Sequence, residues 1–265
     1  LAARPAMSAL DPAPLLAFAN VLADASGKVI RPYFRSGIGV DIKGDGSPVT
    51  KADREAEAVI RALIAREFPD HGLYGEEHGR SNPDAVYEWV IDPIDGTKAF
   101  LCGVPLFGTL IALCAKGRPI LGILDQPIQK ERWIGLRGQG TLFNGKRVRA
   151  KPPVPLKGAI LTSTTPEMFT GWKAPKHARL AAACAFTRWG VDCYAVGMIA
   201  SGNVDLMADA LLKPWDFLAL VPIVEEAGGV VTDWMGAPLT TSSGETFLAA
   251  ANPEIHKAAL ALLAA

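Results

Sequence analysis

The sequence has no surplus of charge: 27 Lys and Arg balance 27 Asp and Glu, for a formal net charge of zero at pH 7. A chain that held nucleic acid or an anionic membrane through its overall field would be basic, so neither partner is expected. Cysteine is scarce as well. Cys102, Cys114, Cys184 and Cys193 form no Cys-x-x-Cys pair, which excludes a disulfide-stapled scaffold and points to free thiols in a reducing, cytoplasmic compartment. No uninterrupted apolar run reaches membrane-spanning length, and Asp11, Pro12 and Pro14 interrupt any secretory layout. The four histidines, His71, His78, His177 and His256, have no metal spacing. A Gly-x-Ser-x-Gly elbow and a Walker loop are both missing, so neither a serine hydrolase nor a P-loop nucleotidase is indicated. There is no internal repeat, low-complexity tract or heptad pattern. Residues 1–6, before Met7, are left out of the fold reading.

What is present is the composition of a globular protein, 49% hydrophobic and 20% charged. At 265 residues the chain lies near the upper limit for one core, so one large domain or two packed lobes are both open. Leu15, Phe18, Ala19 and Leu22 predict an amphipathic first helix. Residues 37–48, rich in Gly, Asp and Ser, predict a mobile loop, with 44–48 a candidate to close over a site. A second helix follows, with Ala56, Val59, Ile60, Leu63 and Ile64 on one face and Thr50 and Asp53 spaced as a capping box. Residues 108–114, 120–124 and 132–136 read as strands, and Asn144-Gly145 as a hairpin turn. Their short connections predict an antiparallel sheet. Lys151-Pro-Pro-Val-Pro155 marks a boundary between an α+β lobe (7–152) and a mixed α/β lobe (153–265). In the second lobe 159–163, 204–207, 230–234 and 246–250 read as strands. Residues 193–200 and 216–227 read as helices ended by glycines, and a last helix is capped by Asn252 with Pro253 in its first turn.

The chemistry concentrates in Trp89-Val-Ile-Asp-Pro-Ile-Asp-Gly-Thr-Lys-Ala-Phe100. A buried strand ends in Asp92 and Asp95, and a short helix can open at Gly96-Thr97. Two acids beside a helix start can gather hard cations while free backbone N–H groups face an anion. Taken alone, an Asp-Pro turn with a helix cap explains the pair as well. Two further segments bear on the choice: Gly75-Glu-Glu-His-Gly79 upstream, and Lys213-Pro-Trp-Asp-Phe-Leu-Ala-Leu220 leading to Glu225-Glu-Ala-Gly-Gly229. Together, over residues 48–234, these segments resemble the inositol monophosphatase superfamily of magnesium-dependent, lithium-sensitive phosphomonoesterases. Residues 188–202, 212–216 and 124–127 are most similar to its histidinol-phosphatase branch. Leu218 departs from the small residue usual in the inositol pattern, and Cys102 stands where other members often carry a polar residue.

The resemblance implies a layered α-β-α-β-α sandwich. It implies that Glu76, Asp92, Asp95 and Asp216, with the main-chain carbonyl of Ile94, hold two or three Mg²⁺ ions, and that Li⁺ inhibits. Asp92 would bridge two of the ions. Asp216 would also cap its helix. Asp53 and Thr97 would stand around the nucleophilic water, with Glu76 counted among the catalytic residues. Gly96 and Thr97 would give backbone N–H groups to the phosphate. Asp209, seven residues before Asp216, and Asp192 are candidates to meet the leaving group, and Arg188 to pair with an acid in the site or across a subunit interface. The expected reaction is hydrolysis of L-histidinol phosphate by metal-activated water. Inositol 1-phosphate or a 3′-nucleotide is the alternative substrate, and a non-catalytic RNA-binding or transcription-related role is the reading from another class. A homodimer is implied by the same resemblance.

Overall fold

A computed structural model describes residues 11–44 and 48–264. Helix α1 (Pro12–Ile30) is followed by a two-stranded ribbon, β1 (Val40–Ile42) and β2 (Pro48–Thr50), and by α2 (Lys51–Glu67). Strands β3 (Gly72–Gly75), β4 (Gly79–Ser81) and β5 (Tyr87–Asp95) lead to the short α3 (Thr97–Leu101). Then come β6 (Gly108–Ala115), β7 (Arg118–Gln126), β8 (Glu131–Leu136), β9 (Gly140–Phe143) and β10 (Lys146–Val148). The second half runs β11 (Ile160–Ser163), α4 (Lys173–Ala183), β12 (Phe186–Trp189), α5 (Tyr194–Ala200), β13 (Leu206–Asp209), α6 (Pro214–Phe217) and α7 (Leu220–Glu225). It closes with β14 (Val230–Thr232), β15 (Phe247–Ala250) and α8 (Pro253–Ala264).

Eight strands form one sheet in the order β10-β9-β8-β7-β6-β5-β3-β4, and five form another in the order β12-β11-β13-β15-β14. Alternation along the strands shows how these sheets are layered. Trp89 and Ile91 of β5, with Ile111 and Leu113 of β6, pack against Leu15, Ala19 and Leu22 of α1 and Ile60 and Ile64 of α2. Val90, Leu110 and Ala112 face the other way, toward Val196 and Ile199 of α5, Phe217 of α6 and Val221 and Val224 of α7. Phe247 and Ala249 of β15 join that same core from the smaller sheet, while Leu248 and Ala250 turn outward to Leu180 of α4 and Ile255 and Ala259 of α8. The result is the expected α-β-α-β-α sandwich. Helix α1 is long and apolar enough to cross a membrane by length and composition, but its apolar face is packed on the sheet.

The expected antiparallel pairing holds from β5 to β10, with Asn144 and Gly145 at positive φ in the β9–β10 turn. Among the described residues, β3 and β5 are the one parallel pair in that sheet. The Thr50–Asp53 capping box is present, and Asn252 Oδ1 accepts from Ile255 N at 3.0 Å at the start of α8.

Two expectations need correction. Residues 40–42 are not loop but pair with 48–50; all three are exposed, so no buried face marked them as a strand. The candidate closing segment, 44–48, has its central residues 45–47 outside the described residues. The predicted helix 216–227 is two pieces, because Pro222 has no N–H for the Leu218 carbonyl and crowds it. Residues 173–183 and 186–189 form a helix and an edge strand that carried no clear pattern. Gly122 and Gly135, paired across β7 and β8, let α7 lie directly on the sheet. A Cβ at Gly122 would stand 1.8 Å from the Ala219 carbonyl oxygen, and one at Gly135 2.3 Å from that of Pro222.

Candidate metal and phosphate site

In a regular strand, residues three apart point to opposite faces. Asp92 and Asp95 escape this because the β5–β6 register shifts between them, from Asp92↔Leu110 to Asp95↔Gly108. Pro93 cannot donate to the ladder. Its carbonyl instead accepts from Thr109 Oγ1 at 2.9 Å. Thr109 has given its one proton there, so Ser26 Oγ, 3.0 Å away, donates to it. The Ile94 side chain is buried with Ala52, Ala56, Phe100 and Phe107, and its N–H donates to Asp92 Oδ1 at 3.0 Å. The bulge thus stands on a packed base. Asp92, Asp95 and Asp216 each offer an oxygen within 4.8 Å of the others.

Asp216 is not the N-cap of its helix, as expected, but its third residue. Pro214 opens α6, and Asp216 Oδ2 reaches back to accept from Lys213 N at 2.7 Å. Asp95 Oδ2 accepts from Cys193 N at 2.9 Å. Gly96 caps α3 at φ +86°, and a Cβ there would meet Phe107 at 3.2 Å and Asp192 Cβ at 3.3 Å, so the position excludes side chains. Thr97 Oγ1 donates to the Ile94 carbonyl at 3.0 Å, the same oxygen expected to face a metal.

Glu76 follows β3, with its N–H bonded to Ile91 O at 3.1 Å. Its carboxylate lies outside the tight trio and accepts from Lys43 Nζ at 2.7 Å, while Lys43 also pairs with Glu77. Glu76 is nonetheless close enough to raise the pKa of Asp53, Asp92, Asp95 and Asp216. Lys43 was missed from sequence, since a lone lysine in a polar loop carries no signal. Asp53 is buried and its Oδ2 accepts from Thr50 N and Oγ1 at 2.8 and 2.6 Å. Among the described residues no hydrogen bond joins Asp53 to Thr97.

Asp209 is fully buried, and both oxygens are taken by Thr164, from N at 2.9 Å and from Oγ1 at 2.7 Å. It shares with Asp95, Asp216, Thr164 and Cys193 a cavity of about 10 Å³, roughly the room of one water. Asp192 is half-buried, held at φ +44° beside Gly96. The structure therefore places Asp209 behind the cluster and Asp192 at its side. Arg188 is exposed on the edge strand β12 and donates to the Trp189 carbonyl at 2.7 Å; among the described residues it pairs with no acid of the cluster.

Burial is the first cause of every raised acid here, and the neighbouring carboxylates add to it. Asp92 and Asp216 lie well above the usual carboxylate range. Asp95 is pushed up to about 6, against the lowering effect of its Cys193 bonds. Asp209 rises to about 7 despite Thr164, and Asp192 to about 8 under the charges of Asp95 and Asp209. So many crowded carboxylates need either protons or a cation. All the donors are oxygens, with neither His nor Cys Sγ in the trio, which suits a hard divalent ion such as Mg²⁺. The residues present fit that ion.

An oxygen-only cation cluster beside a glycine-led helix start is the apparatus of a metal-dependent phosphoesterase. The family model of the inositol monophosphatase family matches residues 11–265. The chain belongs to this family of metal-dependent phosphatases, which typically use Mg²⁺. It is 46% identical to the bifunctional phosphatase IMPL2, chloroplastic, of Arabidopsis thaliana over 92% of this chain and 73% of that protein. It is 38% identical to a histidinol-phosphatase of Chlorobaculum parvum, over 84% and 87% of the two chains. It is 35% identical to the Nus factor SuhB of Escherichia coli, over 94% and 95%. Among solved structures, an inositol monophosphatase from Zymomonas mobilis superposes with a TM-score of 0.88 at 42% identity, covering 95% of this chain and 98% of that one.

Proposed function

We propose that the protein hydrolyses L-histidinol phosphate to L-histidinol and phosphate. The carrying observation is Asp192, half-buried beside Gly96 with the charge of Asp209 behind it. A primary amine a few bonds from the phosphate would find an acid there, which a neutral polyol does not need. The 38% identical histidinol-phosphatase supports the same substrate. In this reading Glu76, Asp92, the Ile94 carbonyl, Asp95 and Asp216 hold the cations, and Asp192 meets the leaving group, with Asp209 buried behind it. Bound Mg²⁺ would supply charge neutralisation on the phosphoryl oxygens and a more acidic water. The Gly96 and Thr97 N–H groups orient the phosphate, and Thr97 Oγ1 and the Asp53 carboxylate orient the water and take its proton. Inhibition by Li⁺, a homodimer and a cytoplasmic location belong to the same reading, the last supported by four free cysteines.

Phosphate release from L-histidinol phosphate and inositol 1-phosphate, side by side with Mg²⁺ and with EDTA, is the test. The expected result is a metal-dependent preference for histidinol phosphate of at least about tenfold in kcat/KM, or about 1.4 kcal/mol. A preference for inositol 1-phosphate would overturn the substrate. The SuhB relative favours a second reading, contact with RNA or the transcription machinery. A salt-sensitive RNA mobility shift together with no turnover would establish it in place of the first.

A further inference from the structure

We infer that Glu57, outside the candidate ligand set, is a positioning residue that fixes the turn carrying Glu76 and so sets how tightly the site holds its divalent cation. The inference rests on the reading of Glu76 as a metal ligand. Glu57 lies on α2, one turn beyond Asp53, and is fully buried. A buried carboxylate needs partners, and those of Glu57 lie mainly on one loop. Its Oε2 accepts from Glu77 N at 2.7 Å and its Oε1 from His78 N at 3.2 Å. Arg61 Nη1 pairs with Oε1 at 3.3 Å and also donates to the Gly79 carbonyl at 3.0 Å, while Nη2 donates to Ser81 Oγ at 3.3 Å. Two adjacent positions on one helix face thus grip the chain on the far side of Glu76.

The near side is fitted to the same carboxylate. A Cβ at Gly75 would stand 1.9 Å from Glu57 Oε1, so the acid fills the volume that a side chain at 75 would need. With the Glu76 N–H tied to Ile91 O, the backbone of Glu76 is held from both flanks. Its side chain, bonded to Lys43, is the part left to turn toward Asp92, Asp95 and Asp216. Partners of this kind, behind the ligands, typically change metal affinity by about 10–100-fold.

The test is Mn²⁺ binding by electron paramagnetic resonance, with Mg²⁺-dependent turnover, on the wild type, Glu57→Gln, Gly75→Ala and Glu76→Gln. Glutamine keeps the size but offers an NH₂ where a second acceptor is needed. Glu57→Gln should weaken Mn²⁺ binding by at least about tenfold. Turnover should recover toward wild type at saturating Mg²⁺, and melting curves in EDTA must show each variant folded at the assay temperature, because a cation would also rescue a partly unfolded protein. Gly75→Ala displaces the same carboxylate and should behave alike, and it decides the matter if Glu57→Gln does not fold. Wild-type Mn²⁺ affinity in folded Glu57→Gln or Gly75→Ala, beside weakened binding in Glu76→Gln, overturns the positioning role. Wild-type affinity in Glu76→Gln overturns the ligand reading beneath it.

Discussion

Asp95→Asn should make the protein more stable in EDTA and remove most of what Mg²⁺ adds. The oxygens of Asp92, Asp95 and Asp216 lie within 4.8 Å of one another. Two unit charges at that distance repel by about 3.5 kcal/mol at an effective dielectric of about 20. The raised Asp95 pKa gives a cost of like size from other causes. Burial, with the charge of Glu76, takes it from 3.8 to about 6, and two units correspond to about 3 kcal/mol. A raised pKa means that the folded state holds the proton more tightly than the unfolded chain. The stability that this proton supplies is complete below the unfolded carboxyl range and is lost as pH rises through about 6. Asparagine has no such proton to lose, and its oxygen can still accept from Cys193 N. At pH 8 in EDTA the variant should gain up to about 3 kcal/mol, with Tm rising by about 2–4 °C per kcal/mol. Near pH 4 the gain should vanish. In Mg²⁺ the gap closes. A cation at 100 times its Kd stabilises by about 2.7 kcal/mol, and the variant forfeits this together with turnover. Melting curves at the two pH values, with EDTA and with Mg²⁺, and phosphate release complete the assay. A variant less stable than wild type in EDTA at pH 8 would refute the electrostatic account. One that keeps both the Mg²⁺ shift and wild-type turnover would refute the assignment of Asp95.

Thr109→Val keeps the volume but leaves the Pro93 carbonyl and the Ser26 hydroxyl without their buried partner. It should cost about 1–3 kcal/mol, read as a lower urea midpoint; an unchanged midpoint would mean that the bulge does not depend on this bond. Gly122→Ala drives a methyl into the Ala219 carbonyl. It should cost at least about 1–3 kcal/mol as α7 is lifted from the sheet, and an unchanged Tm would show that the helix can shift cheaply.

The acid cluster was easier to single out than the layering was to derive. Asp92, Asp95 and Asp216 stand in short segments whose neighbours are themselves distinctive, and these three meet in space. The layered architecture came from the resemblance and not from pattern. β5 and β6 are buried on both faces, so their apolar runs do not alternate and cannot say which helix covers which side. The second-half helices were harder for local reasons. Pro222 divides one, and α4 interleaves buried Lys173, His177 and Leu180 with further lysine and arginine, which blurs its apolar stripe. Glu57 was passed over because its spacing from Asp53 looks like one more polar position on an exposed helix face, and nothing local reveals that a loop 20 residues on closes over it.

The acids show most clearly where sequence reasoning stops. Asp209 and Asp192 are equivalent by type, and Asp209 has the better motif spacing. Yet Thr164, far away in sequence, takes both Asp209 oxygens and encloses that carboxylate in a cavity about the size of one water. Asp192 owes its position to a left-handed backbone and to the missing side chain of Gly96 beside it. In the proposed function, recognition of a cationic leaving group would depend on a carboxylate that can reach solvent and another that cannot. Burial first, and then the charges of Asp95 and Asp209, raise the Asp192 pKa to about 8. An arriving ammonium group would reverse this by favouring the ionised acid. A neutral polyol brings no charge to do so, and under the proposed function discrimination between the two substrates would follow from the same crowding that raises the pKa of the neighbouring acids.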